Sequence, residues 1–153
     1  RQEFKSIAPN LIWQSEDGYE VFGHYKIQPK SRGYQVVCGI TDVGVFSSTR
    51  TALSWCIADK NRDYNTSREI LRTDNKLTAL KNDIHTRAAI GDRSRDPDLR
   101  EIILNKLESK IIQKKVLENQ LNKYVNWAKY IQQRGFNNET ARTGRSQPNT
   151  TSR

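Results

Sequence analysis

Apolar residues change their spacing partway along the chain. Tyr19, Val21, Tyr25 and Ile27 alternate with Glu20, Phe22, His24 and Lys26, and Tyr34, Val36, Cys38 and Ile40 alternate with Gln35, Val37 and Gly39. A period of two predicts strands, here two antiparallel ones joined by a turn over Gln28-Pro29-Lys30-Ser31-Arg32-Gly33. Gly23 falls inside the first strand, where a bulge or a close neighbour is expected. Asp42 starts a tight turn into a short third run, Val43 to Phe46, and Leu11-Ile12-Trp13 suits a further short strand. Ser47, Ser48 or Thr49 then supplies the cap of a helix carrying Leu53, Trp55, Cys56 and Ile57, which covers one face of the sheet. Residues 1–63 thus read as a small antiparallel β-meander of three or four strands with one helix.

From Tyr64 the spacing lengthens. Ile70, Leu77, Leu80, Ile84 and Ala88 recur at threes, fours and sevens, a coiled-coil-like stripe. Gly91 ends this helix at Ile90, and Asp92-Arg93-Ser94-Arg95 makes the turn. Asp96 as N-cap, Pro97 at the first helical position, and Asp98 and Glu101 in the first turn open a second helix that runs to Arg134, with Gly135 as its stop. So short a connection makes the two helices antiparallel neighbours. Counting from the turn sets Ile84 near Ile103, Leu77 near Lys110 and Ile70 near Leu117. Beyond Leu121 the second arm overhangs the first, with Tyr124, Val125, Trp127, Ala128, Tyr130 and Ile131 expected to be buried against the β-rich unit and Trp55.

The predicted fold class is α+β: the meander with its helix over 1–63, a long antiparallel helical hairpin over 64–135, and a flexible, polar, basic tail over 136–153. Hydrophobic residues make up 35% of the 153 positions, enough for a modest core beneath a large solvated surface. No run is long enough to cross a membrane, and Arg1-Gln2-Glu3 does not begin a signal peptide, so a membrane partner and secretion are not expected. Two cysteines eighteen positions apart suggest a reducing compartment, without a disulfide framework.

Residue chemistry for catalysis is thin. His24, Cys38, Cys56 and His85 are the zinc-capable residues, but none stands at ligand-pair spacing, and buried structural thiols are the better reading. Asn65-Thr66-Ser67, Asn138-Glu139-Thr140 and Asn149-Thr150-Thr151 match a glycosylation pattern without a secretory route. No phosphate-binding glycine loop, nucleophile elbow or metalloprotease helix occurs. A non-enzymatic protein is expected, with no cofactor, metal or small-molecule substrate.

Charge points to partners instead. The net charge of +9 is spread along the helices and tail, with eight basic against four acidic residues over 97–135. Such dispersal suits weak, sequence-independent attraction to nucleic acid better than base reading. Within the second arm, Lys106, Lys110 and Lys114 interrupt an apolar stripe of Leu99, Ile103, Leu117 and Leu121. Leu104, Leu107 and Ile111 move to one flank, Ile112 and Val116 to the other. Either the lysine stems lie along the seam, heads toward solvent or Asp74, or they meet an acidic group outside the hairpin. Arg93 and Arg95 at the tip, beside Arg100, and Arg142 and Arg145 in the tail complete the candidate partner-binding residues.

Two resemblances bear on this reading. Val45-Phe46-Ser47-Ser48-Thr49-Arg50-Thr51-Ala52 resembles the strand-to-helix step of AP2-type and integrase arm-type DNA-binding modules, which read DNA with a three-stranded sheet. Their arginine-rich strand face is reduced here to Lys26, Lys30 and Arg32. Ala52 to Lys60, the long hairpin, and Arg134 to Arg142 are together similar to small proteins of marine tailed bacteriophages, often virion components. That resemblance implies a structural or assembly protein binding other structural subunits in multiple copies, located in the virion and in the host cytoplasm during assembly. The alternative is a nucleic-acid-binding protein using the basic hairpin or the N-terminal sheet.

Overall fold

A computed structural model describes residues 12–15 and 18–145 of the chain, with side chains from residue 18 to residue 135. Among the described residues five antiparallel strands form a simple meander: β1 Ile12–Ser15, β2 Gly18–Val21, β3 Tyr25–Lys30, β4 Gly33–Cys38 and β5 Thr41–Phe46, in sheet order β1-β2-β3-β4-β5. Three helices follow: α1 Thr49–Lys60, α2 Tyr64–Arg93 and α3 Pro97–Arg145. The fold is α+β, with a long helical hairpin following the sheet.

The extra strand arises where one was expected to run through Gly23. Residues 19–27 fold as a hairpin instead, with Val21 paired to Tyr25 and the His24 N–H donating to the Val21 carbonyl at 3.3 Å. Phe22 (φ 54°) and Gly23 (φ 83°) both take left-handed backbone. Glycine does so without steric cost, whereas phenylalanine needs outside support. Phe22 finds it in Lys60, whose Nζ sits 4.5 Å from the ring centroid, and in Tyr25, packed edge-on at 6.2 Å. Two other turns move. Pro29 pairs with Tyr34 inside the ladder, leaving the turn to Ser31-Arg32, and Asp42 lies within β5, leaving the next turn to Gly39-Ile40. Gly33 is required by proximity, since a Cβ there would stand 2.2 Å from the Phe46 carbonyl oxygen.

Ser48 caps α1, accepting the Thr51 N–H at 3.2 Å. Every residue of α1 from Thr51 to Ala58 except Trp55 is buried. One helix facing a sheet would keep a polar side. Here α1 is a middle layer, packed on β3, β4 and β5 on one side and on both hairpin helices on the other. Its buried hydroxyls are satisfied locally: Ser54 donates to the Arg50 carbonyl at 2.8 Å and Thr51 to that of Ser48 at 3.1 Å. The core joins Val21, Tyr25, Ile27, Val36 and Phe46 of the sheet, Leu53 and Ile57 of α1, Ile70 and Leu77 of α2, and Leu121, Val125 and Ala128 of α3. The β-rich unit and the hairpin base therefore share one core.

Both glycine stops are overridden. Helix α2 passes through Gly91 to a Ser94 C-cap. Gly91 is used for its size, because a Cβ there would meet Ile103 Cγ2 at 3.2 Å. Ile103 therefore lies beside Gly91, seven positions closer to the tip than the Ile84 expected from counting. Helix α3 passes Gly135, where a lone glycine costs only about 1 kcal/mol and no proline follows to remove a donor before Pro148. Its backbone stays helical to Arg145, so the first ten residues assigned to the tail belong to the helix. Residues 146–153 lie outside the described residues.

A buried carboxylate locks the layers. Asp74 of α2, with no exposed surface, accepts the Ser47 N–H at 2.9 Å and its hydroxyl at 2.6 Å, at the junction between β5 and α1. Replacing Asp74 by alanine removes the buried acceptor of both Ser47 donors, and Ser47, itself exposed, is left to bond water instead. We expect a loss of about 1–3 kcal/mol in urea unfolding. A loss within about 0.5 kcal/mol, the range of an ordinary surface change, would show that the junction does not rely on it.

Candidate protein-interaction surface

The hairpin is held firmly at its base and loosely toward its tip. Asp63 caps α2, accepting the Thr66 N–H at 3.2 Å and its hydroxyl at 2.7 Å. Above that cap, Ile70, Thr73, Asp74 and Leu77 are buried, and Leu77 is the last buried residue of α2. Between Pro97 and Gln120 only Ile103 of α3 is buried. Elsewhere in this stretch the inter-arm seam consists of half-buried Leu80, Ile84, Ala88, Leu107 and Leu117. A groove of about 260 Å³ lies between Ala88, Gly91, Asp92, Arg100, Leu104 and Leu107.

Outside the seam α3 is apolar on both flanks. Ile112 is 64% exposed, Leu104 58%, and Ile102, Ile111 and Val116 are each more than half exposed. Leu99 and Ile90, nearer the tip, are also open. Positions 104 and 111 share one side, while 102, 112 and 116 share the other. This surface is the candidate site.

The lysines of the stripe lie at its centre, and two of them have partners in the chain. Lys110 Nζ bonds Asp83 Oδ2 at 2.8 Å, and Arg87 Nε holds the other oxygen at 3.0 Å. Both cations lower the Asp83 carboxyl, the Lys110 hydrogen bond contributing most. Lys114 faces Glu118 at 3.9 Å one turn along α3, and Lys106 is exposed. Asp74, the acid first suspected for these heads, belongs to Ser47. The Lys110 head is thus matched across the hairpin instead of by a group outside it. Arg93 and Arg95 at the tip, with Arg100, are exposed. The side chains of Arg142 and Arg145 lie outside the described residues.

The zinc-capable residues do not converge. His85 is exposed on α2, while His24 stacks on Tyr25 beside the sheet with ring centroids 4.3 Å apart. Cys56 is fully buried, and burial pushes its thiol and that of Cys38 above the ordinary range. Among the described residues no three His, Cys, Asp or Glu side chains stand together as metal ligands. Among the described residues, too, no helix is long and apolar enough to cross a membrane.

Sequence reasoning missed one feature. With the register shifted toward the tip, Leu121 to Trp127 lie alongside the start of α2 instead of overhanging it, and this aromatic stretch is buried on one side only. Val125 and Ala128 enter the core, but Trp127 is 47% and Tyr130 50% exposed. Trp127 Nε1 donates to Asp63 Oδ2 at 2.7 Å, tying α3 to the cap of α2, and its ring lies 5.6 Å from that of Tyr130. A spacing of four from Lys123 to Trp127, three to Tyr130 and four to Arg134 was the available signal, since it places all four on one helix face. No protein family, curated protein or solved structure matches the chain.

Partial burial opposes ionisation of Asp63, but the Thr66 and Trp127 hydrogen bonds outweigh it and hold the carboxyl below its ordinary range. Being more acidic folded than unfolded, Asp63 stabilises the fold fully above about pH 4, and the contribution fades as pH falls through the lower, folded value. Comparing thermal unfolding of the native chain and Asp63→Asn should show a melting gap that is constant near neutrality and closes only in that acid range. A gap independent of pH would mean the carboxylate charge is not what holds the cap and the indole.

Proposed function

We propose that the protein is a non-enzymatic structural or assembly protein, whose hairpin packs against neighbouring subunits in a multi-copy particle of the bacteriophage virion kind. The observation that carries this reading is the distal hairpin, whose seam is half-buried while apolar side chains line both outer flanks of α3. A helix apolar on more than one side buries its surplus against further helices. The base is complete without such help. The hairpin therefore works as an arm: one end is anchored in the core, and the other offers ridges to a neighbour. Lys110, matched by Asp83, keeps its charge compensated when a neighbour covers the seam, which removes the penalty of burying a lone ammonium. Lys106 and the tip arginines Arg93 and Arg95 remain as the charged rim of the contact.

Ile112→Gln with Val116→Gln tests the arm. Both side chains are more than half exposed, so melting should change little. Native mass measurement of the full chain should show multimers that the double variant reduces to monomer. A native chain that stays monomeric at every concentration, or multimers indifferent to the substitution, would overturn the reading.

A further inference from the structure

We propose that a second surface, the face of α3 carrying Lys123, Trp127, Tyr130 and Arg134, binds single-stranded nucleic acid. It lies at the base of the hairpin, on the same side of α3 as Ile112 and Val116 but beginning about two turns further from the tip. The spacing of four, three and four puts a cation, two aromatic rings and a second cation in line along about 17 Å of helix. Both rings are about half exposed, although a large, fixed core lies directly beneath them. They are also positioned. The indole of Trp127 is held by Asp63 at 2.7 Å, and Arg134 donates to the Tyr130 hydroxyl at 3.3 Å. With centroids 5.6 Å apart and planes inclined by 31°, the rings form a stepped platform on which successive unpaired bases can stack.

Charge selects the class of partner. From Asn119 to Gly135 the helix carries Lys123, Lys129 and Arg134 and no acidic residue. Asp63 beneath the platform is occupied by Trp127 and Thr66, and exposed Arg62 adjoins it in the chain. An apolar protein ridge would gain nothing from cations at both ends of the row. A strand of phosphates with exposed bases uses every member of it: rings for bases, Lys123 and Arg134 for the backbone. A rigid duplex hides its base faces and could use only the cations.

The test is fluorescence anisotropy of a labelled oligothymidylate, and of a duplex of equal length, with the full chain at low and physiological salt. The single strand should bind more tightly than the duplex. Tyr130→Leu and Trp127→Leu should each weaken it by roughly tenfold without altering the salt slope, because no charge is removed. Lys123→Gln with Arg134→Gln should flatten the slope. Trp127 also bonds Asp63, so Tyr130→Leu decides the matter if the tryptophan variant loses stability. Absence of single-strand binding at low salt, equal affinity for the duplex, or indifference to Tyr130→Leu would each overturn the proposal. So would displacement of the oligonucleotide by polyglutamate at matched charge, which would assign the face to an acidic protein.

Discussion

The arrangement depends on a carboxylate that has no access to water. Asp74 reaches from α2 to the junction where β5 ends and α1 begins, and it accepts both donors of Ser47. A buried carboxylate can be kept only where its donors are fixed, so it sets the distance and orientation between sheet, middle helix and hairpin together. The two adjacent serines divide the task. Ser47 turns its hydroxyl toward α2, and Ser48 turns its own inward to start α1. Without the first, α1 would still have a cap but the β5–α1 junction would lose its side-chain tie to α2.

From that lock the molecule grades from closed to open. At the base, α1 is enclosed by strands on one side and by α2 and α3 on the other, and nearly every side chain between Thr51 and Ala58 is withdrawn from solvent. Among the described residues nothing lies behind the hairpin past Leu77, and two helices alone cannot enclose the apolar surface that α3 carries. Among those residues a third layer exists only at the base. This is the physical origin of both surfaces. The arm is open because the sheet does not extend beneath it, and the aromatic face is open because the core occupies only the opposite side of α3.

Electrostatics separates those surfaces. Along the seam of the arm, Asp83 takes Lys110 and Arg87 and Glu118 stands beside Lys114, leaving Lys106 and the tip arginines at its edge. Those paired groups can be covered by protein without stranding an ion. At the base, α3 carries only cations from Asn119 to Gly135, and the acid beneath them is engaged. That surface suits an anion. One helix therefore combines a near-neutral apolar segment with a basic aromatic one.

Much of this was legible in the residues themselves. The two-residue period marked the strands, the longer spacing marked the hairpin, and Asp96-Pro97 placed the start of α3, because each depends on contacts within a few positions. Phe22-Gly23 was misread as strand, since alternation continues across it. Only the packing of Phe22 under Lys60 and against Tyr25 explains how a phenylalanine holds a left-handed turn. Gly91 and Gly135 read as stops because the local signal of a glycine is its flexibility. In the fold Gly91 is a point of close approach to Ile103, a use that depends on a partner helix. The same division holds for the surfaces. Sequence alone determined that α3 has more apolar faces than a two-helix hairpin can bury and more cations than anions. Tertiary structure decided which of those faces the core consumed, because burial depends on which element stands opposite, and no local pattern encodes what lies across a gap.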